Sequence, residues 1–270
     1  MLFVTVIKDV IQKVRQGDIH LIAGSLAFTS VLSVIPFLAL TLVTFKTIGG
    51  LDYLSPKIES LILSYFKEAV GGQATEWVKI VLGKIQAKTF GSTALFALMF
   101  TSWRLFSDME LGIQKIWTSS QKRPLYKKFF VVWFSILLFP TFLAVYVGFR
   151  SLALVKPFVK HYSSSADGVA LFLILFLIYL IFPAEKVLKR VAIFSAFFAT
   201  SGIIILQNSF TWLAKEAFYM NKFYGGLAAI PLFLIWILGI WQIVLVGTAI
   251  GSSLQKNINK NRFLLPNLVS

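Results

Sequence analysis

The sequence predicts an all-α protein, a polytopic membrane helix bundle of six transmembrane helices with amphipathic helices at the interface. Two observations carry this. From Phe223 to Gln255 the chain reads FYGGLAAIPLFLIWILGIWQIVLVGTAIGSSLQ, with no charge between Lys222 and Lys256. A helix of that length runs roughly 50 Å, whereas a bilayer core is about 30 Å thick and about 20 apolar residues cross it. The second observation is composition. The 270 residues are 57% hydrophobic with a mean hydropathy of +0.80, and only 14% are charged. A soluble domain carries roughly 25% charged residues. The whole of 1–270 therefore reads as a single integral membrane domain.

Taken in order, residues 2–18 form an amphipathic helix. Phe3, Val6, Ile7, Val10, Ile11 and Val14 recur at helical spacing, while Lys8, Gln12, Lys13 and Arg15 fill the other side. Such a helix lies in the headgroup layer or packs on its own bundle. The short apolar run 1–7 precedes the basic residues, which is the wrong order for a cleavable signal peptide. The first span covers 21–45 with Pro36 inside it. Ser25, Thr29 and Ser33 follow at intervals of four, and hydroxyls on one face serve helix packing or line a polar pathway. Residues 46–88 are too charged to cross a membrane. Ser55-Pro56 starts an amphipathic helix over 56–70, Gly71-Gly72 breaks it, and a second follows over 74–87.

The second span, 89–107, is the weakest, because Arg104 interrupts it. The helix is expected to run on to Trp117, with Arg104 and Asp108 four apart and able to pair. A charge at the bilayer centre costs on the order of 3 kcal/mol, so Arg104 either faces an interior polar site or snorkels to the headgroups. Span three is 129–149 with Pro140, and span four is 165–184, ending at Pro183. Span five, 191–214, carries Gln207 and Asn208. The last, 224–254, carries Gln242, with a main helix from about Pro231. Gly225 and Gly226 open that segment, and Gly247-x-x-x-Gly251 offers close packing within the bundle or a dimer face.

The formal charge of +15 would point to nucleic acid in a soluble protein. Here the basic residues sit between apolar runs, where they orient helices and meet anionic headgroups, so lipid is the expected partner and nucleic acid is not. The short basic loops 118–128 and 185–190 both fall on the side of the N-terminus. That places both termini in the cytoplasm. With no cysteine, disulfides and thiolate metal sites are excluded.

Enzyme chemistry finds few groups. A metal-dependent nuclease needs converging carboxylates or histidines. Asp108 and Glu110 are two apart and point to different sides of a helix, and His20 and His161 fall at opposite membrane faces. No phosphate loop, catalytic triad or His-Glu helix motif appears. The expectation is no enzyme, no metal and no cofactor.

Several residues resemble a known family when taken together. Ala27-Phe28 with Ser33-x-x-Pro36 lies in the first span, and Leu105 through Ile113-x-x-Ile116-Trp117 follows the second. Tyr179-x-x-x-Pro183 ends the fourth. Phe223-Tyr224-Gly225-Gly226-Leu227-Ala228-Ala229, then Leu234-Ile235-Trp236, opens the last. In this order the chain resembles the YihY/BrkB family of bacterial inner-membrane proteins over about residues 10–255. Phe28 departs from an expected tyrosine, and Ile250 from a glutamate frequent in the family. The resemblance implies a compact six-helix bundle in the bacterial cytoplasmic membrane. It also brings the labels ribonuclease BN and virulence factor, and a proposed transport of lipid-like molecules. The ribonuclease label finds no support in the residues.

Two functions remain. One is a transporter or flippase-like protein for an amphiphilic or anionic, lipid-like substrate, with Ser25, Thr29, Ser33, Arg104, Asp108, Gln207, Asn208 and Gln242 as pathway candidates. Prolines in four spans (Pro36, Pro140, Pro183, Pro231) suggest kinked helices and cavities for it. The other is a membrane scaffold that recruits partners or organises lipids through the amphipathic 51–88 region, with Gly247-x-x-x-Gly251 open to a homo-oligomer or to packing within one bundle.

Overall fold

A computed structural model describes residues 2–15, 18–47, 92–117, 163–220 and 229–264, with scattered positions between 60 and 146. The expected amphipathic helices at 56–70 and 74–87 lie outside the described residues apart from Ser60, and span 129–149 is described only at isolated positions. The long elements are all helices: α1 Leu2–Arg15, α2 Asp18–Thr47, α3 Ser92–Trp117, α4 Ser163–Ile181, α5 Lys189–Met220 and α6 Ala229–Leu264. Within them, Lys189–Phe210 and Phe233–Asn259 are long and apolar enough to cross a membrane, while Ile19–Ser33 and Asp167–Ile181 are shorter apolar helices. Two of the six expected spans therefore meet that test among the described residues.

Local chemistry sets several boundaries. α4 stops at Ile181 because Pro183 lacks an amide donor and biases Phe182 away from helical geometry. The Phe182 amide still closes the last turn on the Ile178 carbonyl at 3.0 Å. α5 opens on the Leu188 carbonyl, which accepts from Val191 and Ala192 at 2.9 and 3.1 Å. Pro231 sits in the first turn of α6, where its missing donor costs nothing. α2 stays helical through Pro36. Pro183 and Pro231 thus mark helix ends and do not kink a span.

The last helix is described over Ala229–Leu264, reaching beyond residue 254. Its first polar turn beyond the apolar run is packed in the bundle. Ser252, Ser253 and Gln255 are buried, and α1 lies against α6.

α6 is the common partner of the bundle, touching α1, α2, α3, α4 and α5. Its adjacent residues Val244 and Leu245 enter different cores. Leu245 and Ala249 join Ile19, Ala23 and Leu26 of α2 and Phe106, Met109 and Ile113 of α3. Val244 joins Leu175 and Tyr179 of α4 with Ala192, Ala196, Ala199 and Ile203 of α5. On α5 the small residues face inward while Ile193, Phe194, Phe197, Phe198 and Ile205 are exposed. This inverts a soluble helix and suits lipid, where association relies on close backbone approach and the large side chains meet acyl chains.

One end of the bundle gathers segments far apart in sequence. Lys13 of α1 donates through Nζ to the Ile116 carbonyl, in the last turn of α3, at 3.2 Å, and to Ser252 Oγ of α6 at 2.5 Å. Gln255 holds the α4–α5 connection at the same end. Its Oε1 accepts from the Leu188 amide at 3.0 Å and its Nε2 donates to the Lys186 carbonyl at 2.7 Å. Exposed Lys115, Lys186, Lys189, Arg190 and Lys256 make this end basic.

Burial of the Lys13 ammonium, and then the neighbouring Lys256, lower its pKa below 10.5 against a smaller opposing effect of Asp9. A base depressed in the folded state binds fewer protons there than when unfolded. Stability is therefore gained as pH climbs from the folded pKa towards 10.5, and lost as pH falls through the folded value. The unfolding midpoint in detergent should rise across that alkaline window and lose the rise in Lys13→Met. Lys256→Gln should narrow the window and raise the midpoint at neutral pH. A midpoint that falls through the window, in parallel for both proteins, would contradict this.

Candidate functional site

α2 and α3 approach closely at Gly112, where an added Cβ would lie 2.8 Å from Ile22 Cγ2 and 3.2 Å from Leu26 Cδ1. This contact brings Thr29 beside Asp108. Thr29 Oγ1 donates to Asp108 Oδ2 at 3.1 Å, and Arg104 Nε donates to the same oxygen at 3.0 Å. The Arg104 side chain is 68% exposed and that of Asp108 17%. One carboxylate oxygen thus joins the two helices on the outer side of their seam. Arg104 belongs to a stripe of α3 that also exposes Phe96, Phe100, Leu111 and Lys115.

Of the two expected settings for Arg104, the interior one is not observed; the charge lies on the outer surface near the middle of α3. Glu110, two residues beyond Asp108, is turned inward and buried, and accepts from Gln114 Nε2 at 2.8 Å. The two carboxylates therefore do not converge. Among the described residues no three His, Asp or Glu side chains are grouped to hold a metal ion.

The other pathway candidates separate. Ser33 is buried and Ser25 exposed, and of that trio Thr29 is the one bonded to Asp108. Gln242 of α6 sits 3.3 Å from His20 Nδ1 of α2, and the neighbouring Trp241 donates through Nε1 to Ser30 Oγ at 2.9 Å. These contacts tie α6 to α2. Asn208 is exposed and Gln207 half-buried on α5, which packs against α4 and α6. Gly225 and Gly226 lie outside the described residues. Gly247 and Gly251 face the interior. A Cβ at Gly247 would overlap the Tyr179 hydroxyl, and one at Gly251 would lie 2.7 Å from Ser195 Oγ. That face is occupied by α4 and α5, which leaves no room on it for a second copy.

Sequence reasoning missed Lys13, Ser252 and Gln255 as ties between helix ends, and Tyr179, whose hydroxyl donates to the Val244 carbonyl at 2.9 Å. Tyr179 and Gln255 are polar groups in or beside apolar runs, a signal that marks a partner without identifying it. Phe28 is exposed and Ile250 half-buried.

The family model described as virulence factor BrkB matches residues 10–267. A UPF0761 membrane protein of Haemophilus influenzae is 21% identical over 252 residues, covering 91% of this chain and 93% of that one. One from Alteromonas mediterranea is 24% identical over 253 residues, covering 90% of this chain and 85% of its own. One from Chlorobium luteolum is 27% identical over 249 residues, covering 89% of this chain and 58% of that longer protein. No solved structure matches the chain significantly. With apolar faces turned outward, two helices of membrane-crossing length and a family match over nearly its whole length, the chain is a membrane protein of the BrkB virulence-factor family.

Proposed function

We propose that this protein moves an amphiphilic, anionic, lipid-like substrate along the outer seam between α2 and α3, without enzymatic chemistry and without a cofactor. One observation carries the reading: the Arg104–Asp108–Thr29 group lies on the outer surface near the middle of α3. A charge at mid-membrane costs on the order of 3 kcal/mol on insertion scales and normally marks a pathway or a ligand. The interior offers less, because the α4–α5–α6 contact is filled by Tyr179, Ala199 and Val244. Helices that cross near the cytoplasmic face of a bacterial inner membrane carry their lysines and arginines there. The basic end that holds α1 and the last turns of α6 is accordingly the cytoplasmic one in this reading, and anionic headgroups are its partners.

The test is movement of fluorescent phosphatidylglycerol between leaflets of proteoliposomes. Protein should accelerate it, and Arg104→Leu should slow it at least tenfold without loss of folded protein. Unchanged movement in Arg104→Leu would sink the role of the seam. A scaffold without transport is the second reading, favoured by the filled α4–α5–α6 contact. It predicts no acceleration by the wild-type protein.

A further inference from the structure

We infer that the Arg104 guanidinium is the seat of a lipid phosphodiester, held from the membrane side of the α2–α3 seam. This deepens the transport reading and rests on it for the seam's exposure to lipid. Arg104 has five N–H donors in a planar fork. Its Nε is taken by Asp108, and no other partner engages the guanidinium among the described residues. Asp108 is itself steadied by Thr29, so the guanidinium is held at Nε while the Arg104 side chain stays largely exposed. Water satisfies such donors on a soluble protein, whereas hydrocarbon offers no acceptor. A phosphate does, and its oxygens match the fork in a bidentate way that a lysine could not reproduce.

The surroundings select a lipid as the source of that phosphate. Phe100 precedes Arg104 by one turn and Phe96 by two, and Leu111 follows it by two; all three are exposed on the same stripe. They form an apolar track for acyl chains on both sides of the cation. Lys115 stands on that stripe at the basic end, a second cation on the way from the headgroup layer to Arg104. A free anion would gain nothing from the flanking phenylalanines. An amphiphile uses both the cation and the track.

Asp108 gives the seat a distinctive charge balance. Without ligand the ion pair is neutral, which limits the cost of holding a guanidinium in lipid. A phosphodiester adds a negative charge facing Asp108, so the carboxylate orients the fork while opposing the ligand. Its removal as a charge, with its hydrogen-bonding oxygen kept, should tighten binding.

The experiment measures retained lipid on the full chain by native mass spectrometry from non-ionic detergent micelles. The micelles contain either phosphatidylglycerol or a diacylglycerol with the same chains. Wild-type protein should retain phosphatidylglycerol selectively, Arg104→Gln should lose about tenfold of that retention, and Lys115→Gln less than twofold. Asp108→Asn should retain at least twofold more than wild type, an outcome that a merely structural role would not give. Millimolar inorganic phosphate should not displace the lipid. Unfolding midpoints of the variants confirm folded protein. Equal retention by Arg104→Gln and wild type, equal retention of the two lipids, or displacement by inorganic phosphate would each overturn the proposal. Retention at equilibrium needs no transport. Selective retention without leaflet exchange would therefore defeat the transport reading alone, and exchange without Arg104-dependent retention would defeat this inference alone.

Discussion

Gly247→Val should destabilise the bundle by about 3 kcal/mol, a cost typical of overpacking a filled contact. A Cβ at Gly247 overlaps the Tyr179 hydroxyl and lies 3.0 Å from Tyr179 Cζ and 3.3 Å from Ala199 Cβ. Tyr179 cannot swing aside without giving up its bond to the Val244 carbonyl. Ala199 is on α5, so relief requires moving a helix. Gly24 is the internal control. Nothing lies within 4 Å of a Cβ there, so Gly24→Ala should stabilise by roughly 0.5–1 kcal/mol through helix propensity. The unfolding midpoint in detergent reads both. In the double-mutant cycle of Gly247→Ala with Tyr179→Phe, loss of the hydroxyl should recover part of the cost of the added methyl. If Gly247→Val unfolds no earlier than Gly24→Ala, the packing described for α6 is wrong.

Gln255→Leu is expected to cost about 2–4 kcal/mol, because it removes two hydrogen bonds and strands two backbone groups. The Leu188 amide loses its acceptor and the Lys186 carbonyl its donor, both in a part-buried connection. A net hydrogen bond contributes about 1 kcal/mol, and an unsatisfied buried group costs about 1–3 kcal/mol more. Gln255→Glu separates the two bonds. The carboxylate still accepts from Leu188 but cannot donate to Lys186, so its midpoint should fall between wild type and Gln255→Leu. Limited proteolysis adds a local readout, since cleavage within 185–190 should accelerate in Gln255→Leu. A Gln255→Leu midpoint equal to wild type would show that the amide does not hold this connection.

Much of the architecture was legible where one helix supplied the information. The charge-free run 223–255, the amphipathic spacing of α1 and the four-residue step from Arg104 to Asp108 are local patterns, and helix geometry converts them into faces and pairs. Thr29 was visible as a hydroxyl, but its bond to Asp108 spans 79 positions and depends on Gly112 bringing α2 and α3 together. Lys13, Ser252 and Gln255 were harder still. Each is an ordinary polar residue near a helix end in sequence, and only the arrangement of four segments at one end gives it a partner. The end of α6 was not legible from hydropathy, which marks where apolar residues stop; the helix continues through the packed Ser252, Ser253 and Gln255 to Leu264.

The position of α6 as common partner also fixes an order of events during synthesis. α2 packs on α3 and α4 on α5, and α6 is the element that binds both pairs. Ser252 is made 239 residues after Lys13. At ribosomal rates of roughly 5–20 residues per second, the lysine waits on the order of tens of seconds for its hydroxyl. During that time α1 has only α2 to pack on, and the headgroup layer can hold the rest of its apolar face. A chain that ends before α6 is then two helix pairs lacking the element that joins them. Among the described helices, α6 is the last to be made and the one that packs on both pairs.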